Sequence, residues 1–303
     1  MTTRRQFLRA AIAAPIVGAG TRLAAAPSRP PVVDTHLHCF AGKDDKRFPY
    51  HKDAPYEPEE PSTPEHLLRS MAGAGVDYAV VVHPEPYQDD HRYLEHCMDV
   101  GKGKLKGTCL FFAGREGNDK RMRDLAKKVP LLAVRVHAYN PDRLPPFEKP
   151  ELRDLWKLAG ELGLAVQLHF EPRWAPGFEP YIKEFKSVRV LIDHMGRPFQ
   201  GTPKEHAVVL AWAKFDHVVM KLSAVPSRGS YPHRDPAPVI KQLTEAFGAD
   251  RLMYGGGYGA KATGDSYRAE RERIAGLLAN LSADDRDKVF GGTAARLFGF
   301  TSG

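Results

Sequence analysis

Cysteine is nearly absent from this chain: three thiols, Cys39, Cys97 and Cys109, occur in 303 residues, an odd number at wide spacing. That excludes a disulfide-stapled scaffold and makes each a buried thiol by default, although Cys39 stands beside a histidine pair where it could line a pocket. No apolar run is long enough for a secure permanent membrane anchor. Internal repeats and low-complexity tracts are missing too. No Gly-x-Gly-x-x-Gly follows the first strand-like segment, so the dinucleotide-binding pattern is excluded there. The glycine-rich stretch Gly255-Gly256-Gly257-Tyr258-Gly259 comes after the last strand candidate, without the helix-opening context of a phosphate loop. Acidic residues are missing from the first 26 positions, which carry Arg4, Arg5, Arg9 and Arg22; without that segment the formal charge of +7 falls to +3. Nothing basic enough to suggest a nucleic-acid partner remains.

That N-terminal segment explains itself. Thr3-Arg4-Arg5-Gln6-Phe7-Leu8-Arg9, a mildly apolar run from Ala10 to Gly20 and the small residues Ala24, Ala25 and Ala26 form a twin-arginine signal pattern. The expected organisation is a signal peptide over 1–26 and one domain over 27–303. The expected partner is the twin-arginine export machinery, and the expected location is the periplasm or beyond. Signals of this kind resemble those of proteins exported folded, often with a metal already loaded.

With 42% hydrophobic content, the remaining chain is long enough for a full core. Eight apolar runs of strand length follow Pro31: Val32 to His36, Tyr78 to Val82, Gly107 to Phe112, Leu132 to His137, Ala165 to His169, Arg189 to Ile192, His217 to Leu222 and Leu252 to Tyr254. Helix-like stretches separate them, one opened by Thr63-Pro64-Glu65 and others over Asp119 to Lys127, Glu151 to Leu162 and Ala237 to Phe247. Such alternation implies a parallel sheet, and eight units imply a (β/α)8 TIM barrel of one domain. The polar, proline-rich stretch from Ala41 to Pro61 is a long loop after strand one and a candidate lid.

The histidines gather on this map. His36 and His38 end strand one, two residues apart and so on one side of it. His83 ends strand two, His137 strand four and His169 strand five, and His194 follows strand six. Six of the thirteen histidines thus share the barrel face where strands end and chemistry sits. Imidazole nitrogens suit divalent transition metals. Arg135, Arg197 and Arg228 fall on or near the same ends, where a guanidinium fork can hold a carboxylate; Arg135, being strand-interior, could instead brace the wall. Asp34 and Asp193 adjoin the histidines as candidate carboxylates for orienting a ring N–H.

As a set, Asp34-Thr35-His36-Leu37-His38, Gln167-Leu168-His169, Ile192-Asp193-His194-Met195-Gly196-Arg197-Pro198, Lys221-Leu222-Ser223 and Asp250-Arg251-Leu252-Met253-Tyr254-Gly255 resemble the amidohydrolase superfamily, in its amidohydrolase-related branch. The match runs from Val32 to Phe300, and His-Met-Gly-Arg-Pro is similar to the lactonase side of that branch. The resemblance implies hydrolysis of a small, anionic or polyhydroxylated lactone, ester or amide. It places a divalent ion, zinc above others, on His36, His38, His169 and His194. His194 and His137 would handle the proton, and His83, His137, Arg135, Arg197 and Arg228 would hold substrate. Metal-free polarisation of the carbonyl by the same histidines stays open. So do a metal-dependent decarboxylase and a non-catalytic binding barrel, the last because Gly257 stands where the family carries an aspartate after strand eight.

Overall fold

A computed structural model of the chain describes residues 30–139, 141–227 and 234–301. The twin-arginine segment and Arg228 lie outside the described residues. Eight parallel strands run in sequence order: β1 Val33–Leu37, β2 Tyr78–Val82, β3 Leu105–Leu110, β4 Leu131–Ala138, β5 Ala165–Phe170, β6 Val190–Ile192, β7 Val218–Leu222 and β8 Leu252–Tyr254. Eight helices alternate with them: α1 Pro64–Ala74, α2 Arg92–Gly101, α3 Asn118–Lys128, α4 Pro150–Glu161, α5 Ala175–Glu184, α6 Pro203–Ala211, α7 Ala237–Phe247 and α8 Gly264–Leu277. The chain forms a single-domain TIM barrel, as its alternation of strand-like and helix-like runs implies. No helix among the described residues is long and apolar enough to cross a membrane.

Local sequence accounts for the helices. Thr63 caps α1 by accepting the His66 N–H at 3.3 Å, with Pro64 pre-set for the first turn. In α4, Leu152, Leu155, Trp156 and Ala159 repeat at helical spacing and are all buried. Burying each large side chain contributes on the order of 1.5–3 kcal/mol.

The strand period builds the barrel interior in layers. Val33, Ala133, Ala165, Leu191, Val219 and Met253 form an apolar floor. Two residues on, where the same face recurs, stand Thr35, Arg135, Gln167, Asp193 and Lys221, all buried. Two further on, β4 and β5 present His137 and His169, register partners at the rim. A shift of register between Asp34 and Leu37 breaks the alternation of β1. Strict alternation from Val33 would turn His36 outward; the shift brings it in.

The seam between β1 and the three-residue β8 is fastened by side chains. Thr35 Oγ1 donates to Tyr254 O at 2.7 Å, and Asp34 Oδ1 accepts the N–H groups of His36 and Gly256, both at 2.9 Å. Tyr267 of α8 donates its hydroxyl to the other Asp34 oxygen. Replacing Thr35 by Val keeps the shape but leaves Tyr254 O buried without this donor, which costs roughly 1–3 kcal/mol. The denaturation midpoint of Thr35→Val is therefore expected to fall. An unchanged midpoint would show that the Asp34 contacts to Gly256 and Tyr267 close the cylinder without it.

Candidate active site

Five imidazoles form an arc along the rim. Successive ring centroids lie 5.1 Å apart from His137 to His169, 5.1 Å from His169 to His194, 4.4 Å from His194 to His36 and 5.3 Å from His36 to His38. A cavity of about 610 Å³ opens over His36, His38 and His194, bounded by Phe40, Pro58, Glu59, Glu60, Ser223 and Tyr258. A smaller one of about 170 Å³ lies over His169, His194 and Arg197. The loop from Ala41 to Pro61 supplies Pro58, Glu59 and Glu60 to that mouth. A two-way bridge between Phe40 and Ser62 closes its base, and His51 N donating to Pro86 O at 2.8 Å pins it.

Asp193 organises the layer beneath. One carboxylate oxygen lies 3.1 Å from His36 Nδ1 and 3.6 Å from Lys221 Nζ. The other receives Arg135 Nε and Nη2, both at 2.9 Å, and Gln167 Nε2 at 3.0 Å. Lys221 Nζ also reaches Gln167 Oε1 at 2.9 Å and Thr35 O at 3.0 Å. Burial pushes the Asp193 carboxyl up, but the hydrogen-bonded His36 ring and the charges of Arg135 and Lys221 outweigh it and hold the group well below the carboxylate range. Burial in turn pulls Lys221 down to about 8. Although His36, Asp193 and His194 cluster closely enough to hold an ion, both oxygens of Asp193 are already engaged. Its part is to orient the His36 ring.

Those bonds fix tautomers. His36 gives its Nδ1 proton to Asp193 and His38 gives its own to Val82 O at 2.7 Å, so each presents a bare Nε2. The Nε2 of His36 is buried with no hydrogen-bond partner. His194 Nδ1 is held 3.0 Å from Ser223 Oγ. Burial lowers all three rings, His36 to about 4, so they are neutral ligands at neutral pH. The neutral nitrogens of His36 and His194 suit a transition ion within that cluster. Neither His169 nor His38 belongs to that cluster, and Arg197 Nη1 lies 2.8 Å from His169 Nε2.

The turn that carries His194 is left-handed throughout, with φ of 54° at His194, 60° at Met195, 68° at Gly196 and 54° at Arg197. Three of the four are not glycine, an arrangement that costs on the order of 1 kcal/mol or more at each such residue. Ser223 Oγ accepting His194 N–H at 3.2 Å, His206 Nε2 on Met195 O at 2.8 Å, and buried Met195 hold it in place.

Other expected residues sit differently. His83 binds Gln88 O through Nε2 at 2.9 Å and packs on His91, with no ring contact to the arc. Arg135, expected at substrate, is buried and committed to Asp193. Asp34 orients no ring nitrogen; it braces the seam from outside the barrel. Sequence reading did not single out Tyr139, Gln167, Lys221 or Ser223 for roles. Lys221 and Gln167 are legible afterwards as polar residues interrupting buried strands.

A family model described as amidohydrolase matches residues 33–300. The chain belongs to the amidohydrolase family. An L-fucono-1,5-lactonase from Burkholderia ambifaria is 28% identical over 303 aligned positions, covering 88% of this chain and 94% of that protein. A protein from Acinetobacter baumannii assigned as a 2-pyrone-4,6-dicarboxylic acid hydrolase, with citric acid bound, superposes with a TM-score of 0.74 at 17% identity, covering 89% of this chain and 99% of that one. An amidohydrolase from Burkholderia multivorans with bound zinc gives 0.70 at 18% identity, over 89% and 100% of the two chains. This placement on the lactonase-like side agrees with the motif resemblance.

Gly257 is built into its position. Its φ is +107°, and a Cβ there would stand 2.7 Å from Tyr267 Cδ2 and 3.0 Å from Tyr267 Cε2. Tyr267 fills the space a strand-eight side chain would need, and its hydroxyl is tied to Asp34. Gly257→Asp is thus expected to lower the melting temperature, and Gly257→Ala to do so as well, without raising turnover; an active, equally stable Gly257→Asp protein would show that Tyr267 yields.

Proposed function

We propose that this hydrolase opens a small lactone bearing hydroxyl or carboxylate groups, with His36, His38, His137, Arg197 and His194 around the reacting carbonyl. The observation that carries the reading is the polar cavity over His36, His38 and His194, the end of the arc nearest β1, on a chain whose aligned relative is an L-fucono-1,5-lactonase. Ser62, Ser223, Glu59 and Glu60 line that cavity and offer hydrogen bonds to ring hydroxyls. Arg197, stacked 5.8 Å over the Tyr139 ring, supplies positive charge where the carbonyl oxygen gains negative charge. The bare Nε2 of His36 and of His38 accept hydrogen bonds from water or substrate hydroxyl, and His194 sits between them and Arg197 along the arc.

His36 and His194, with Asp193 beside them, would hold a divalent ion, zinc by preference. Such an ion supplies a Lewis acid and lowers the pKa of water toward neutrality. We likewise propose that residues 1–26 direct export of the folded chain. Lysine at both Arg4 and Arg5 is expected to abolish its appearance in a periplasmic fraction, and unchanged fractionation removes that assignment.

A panel of aldono-1,4- and 1,5-lactones and dicarboxylated lactones, read by acid release, tests the activity. Metal content is measured on the same preparation. His194→Ala is expected to lower kcat/KM, because this ring lines both cavities of the site. A wild-type protein that opens none of the lactones overturns the proposal, and release of CO2 from a carboxylated aromatic would replace it with a decarboxylase.

A further inference from the structure

The site lacks a carboxylate at β8, yet a buried carboxylate does stand at the rim, on the far side of the barrel. Glu85 opens the single-turn helix Glu85–Tyr87 that follows β2 and is 5% exposed. Its Oε1 lies 2.9 Å from His137 Nδ1 and 2.5 Å from Arg143 Nη2, and its Oε2 accepts the Tyr139 hydroxyl. The approach to Nδ1 is off the line of a straight hydrogen bond, and His137 Nε2 is buried with no partner at all. A buried polar atom left unpaired costs roughly 1–3 kcal/mol, so it persists where something else completes it. Here that nitrogen belongs to the ring that ends the arc, in edge contact with His169.

Other carboxylates near the mouth are otherwise engaged. Asp193 is saturated, and Asp34 lies behind the seam. Glu59 and Glu60 are exposed on the loop and paired with Lys43 and Lys261.

We propose that Glu85 and His137 are the proton-transfer pair of this site, Glu85 the positioning residue and His137 the catalytic base, working in place of the strand-eight carboxylate that Gly257 cannot supply. The inference rests on the lactone reading above and deepens it. As the water oxygen bonds to the lactone carbonyl carbon, one water proton passes to His137 Nε2. The tetrahedral oxyanion then re-forms the carbonyl and breaks the ring C–O bond, and the departing oxygen takes the proton back from His137. One water is consumed, the product is a hydroxy acid, and the imidazole ends neutral as it began. Burial pushes Glu85 up, but His137, Tyr139 and Arg143 hold it down to about 2, so it stays ionised beside the imidazolium that forms. Burial and the Arg135 charge keep His137 below its ordinary value, so the base is empty at neutral pH.

Glu85→Gln, His137→Asn and the double variant, in the full chain, test this. Glu85→Gln is expected to lower kcat by roughly 10²-fold or more with KM little changed. The double variant should be no slower than His137→Asn alone, because the two act as one unit. The acid limb of kcat/KM should move to lower pH in Glu85→Gln, since the imidazolium loses its counter-charge. Wild-type kcat in Glu85→Gln, or additive losses, overturns the pair. ¹⁵N-histidine NMR of the wild-type protein reads it without turnover and without a variant that must fold: a His137 ring protonated at Nδ1 and bare at Nε2 supports it, and the opposite tautomer overturns it. A wild-type chain that opens no lactone defeats the substrate reading, and the NMR arm still decides the pairing.

Discussion

The carboxylate of Asp193, sealed beneath the rim, is the group on which the rest of the site depends. A lone charge so deeply buried would be untenable; here it is matched by Arg135 and Lys221 and completed by Gln167 and His36. Removing one partner from such a cluster leaves the others buried and unbalanced, which costs far more than the net contribution of the intact cluster. β4, β5, β6, β7 and β1 therefore meet at one carboxylate. Its position also sets the function: it fixes the His36 tautomer and ends β6 just where the left-handed turn begins, so the orientation of His36 and the placement of His194 share a single origin.

This arrangement explains how much was legible in the sequence. Period two along a buried strand predicts which residues share a face, so Gln167 and His169, or Arg135 and His137, could be assigned to one wall. The histidine ends of β1, β4, β5 and β6 were accordingly found from spacing alone. Three features escaped for physical reasons. Helix α5 contains Pro180 within its body and a proline in its first turn, a composition that reads as loop. The register shift in β1 is a property of pairing, invisible in the run Val-Asp-Thr-His-Leu. Tyr267 and Glu85 act through contacts across 233 and 52 positions of chain, to Asp34 and His137, and no local pattern encodes such distances.

The strand-eight position shows why an alignment gap in chemistry differs from a gap in space. Read as sequence, Gly257 is an aspartate that has lost its side chain, and restoring it looks like a repair. In three dimensions the vacancy does not exist: Tyr267 occupies it, and the left-handed backbone at Gly257 suits glycine. The tyrosine also gives Asp34 its third donor, so the side chain that crowds Gly257 is the one that fastens the barrel seam.

Charge settles what kind of transition state this rim favours. Arg135, Lys221, Arg197 and Arg143 stand in or just below the arc, against the carboxylates of Asp193 and Glu85. The imidazoles are held neutral by burial, so the balance along the arc is positive, with Glu59 and Glu60 adding negative charge at the mouth above it. A developing oxyanion gains from that field in a setting where water is partly excluded, and so does a substrate carboxylate. A divalent cation held by His36 and His194 would meet the same field as a penalty, offset in part by the Asp193 carboxylate beside it. The positive charge along the arc thus suits a developing oxyanion whether or not an ion is bound.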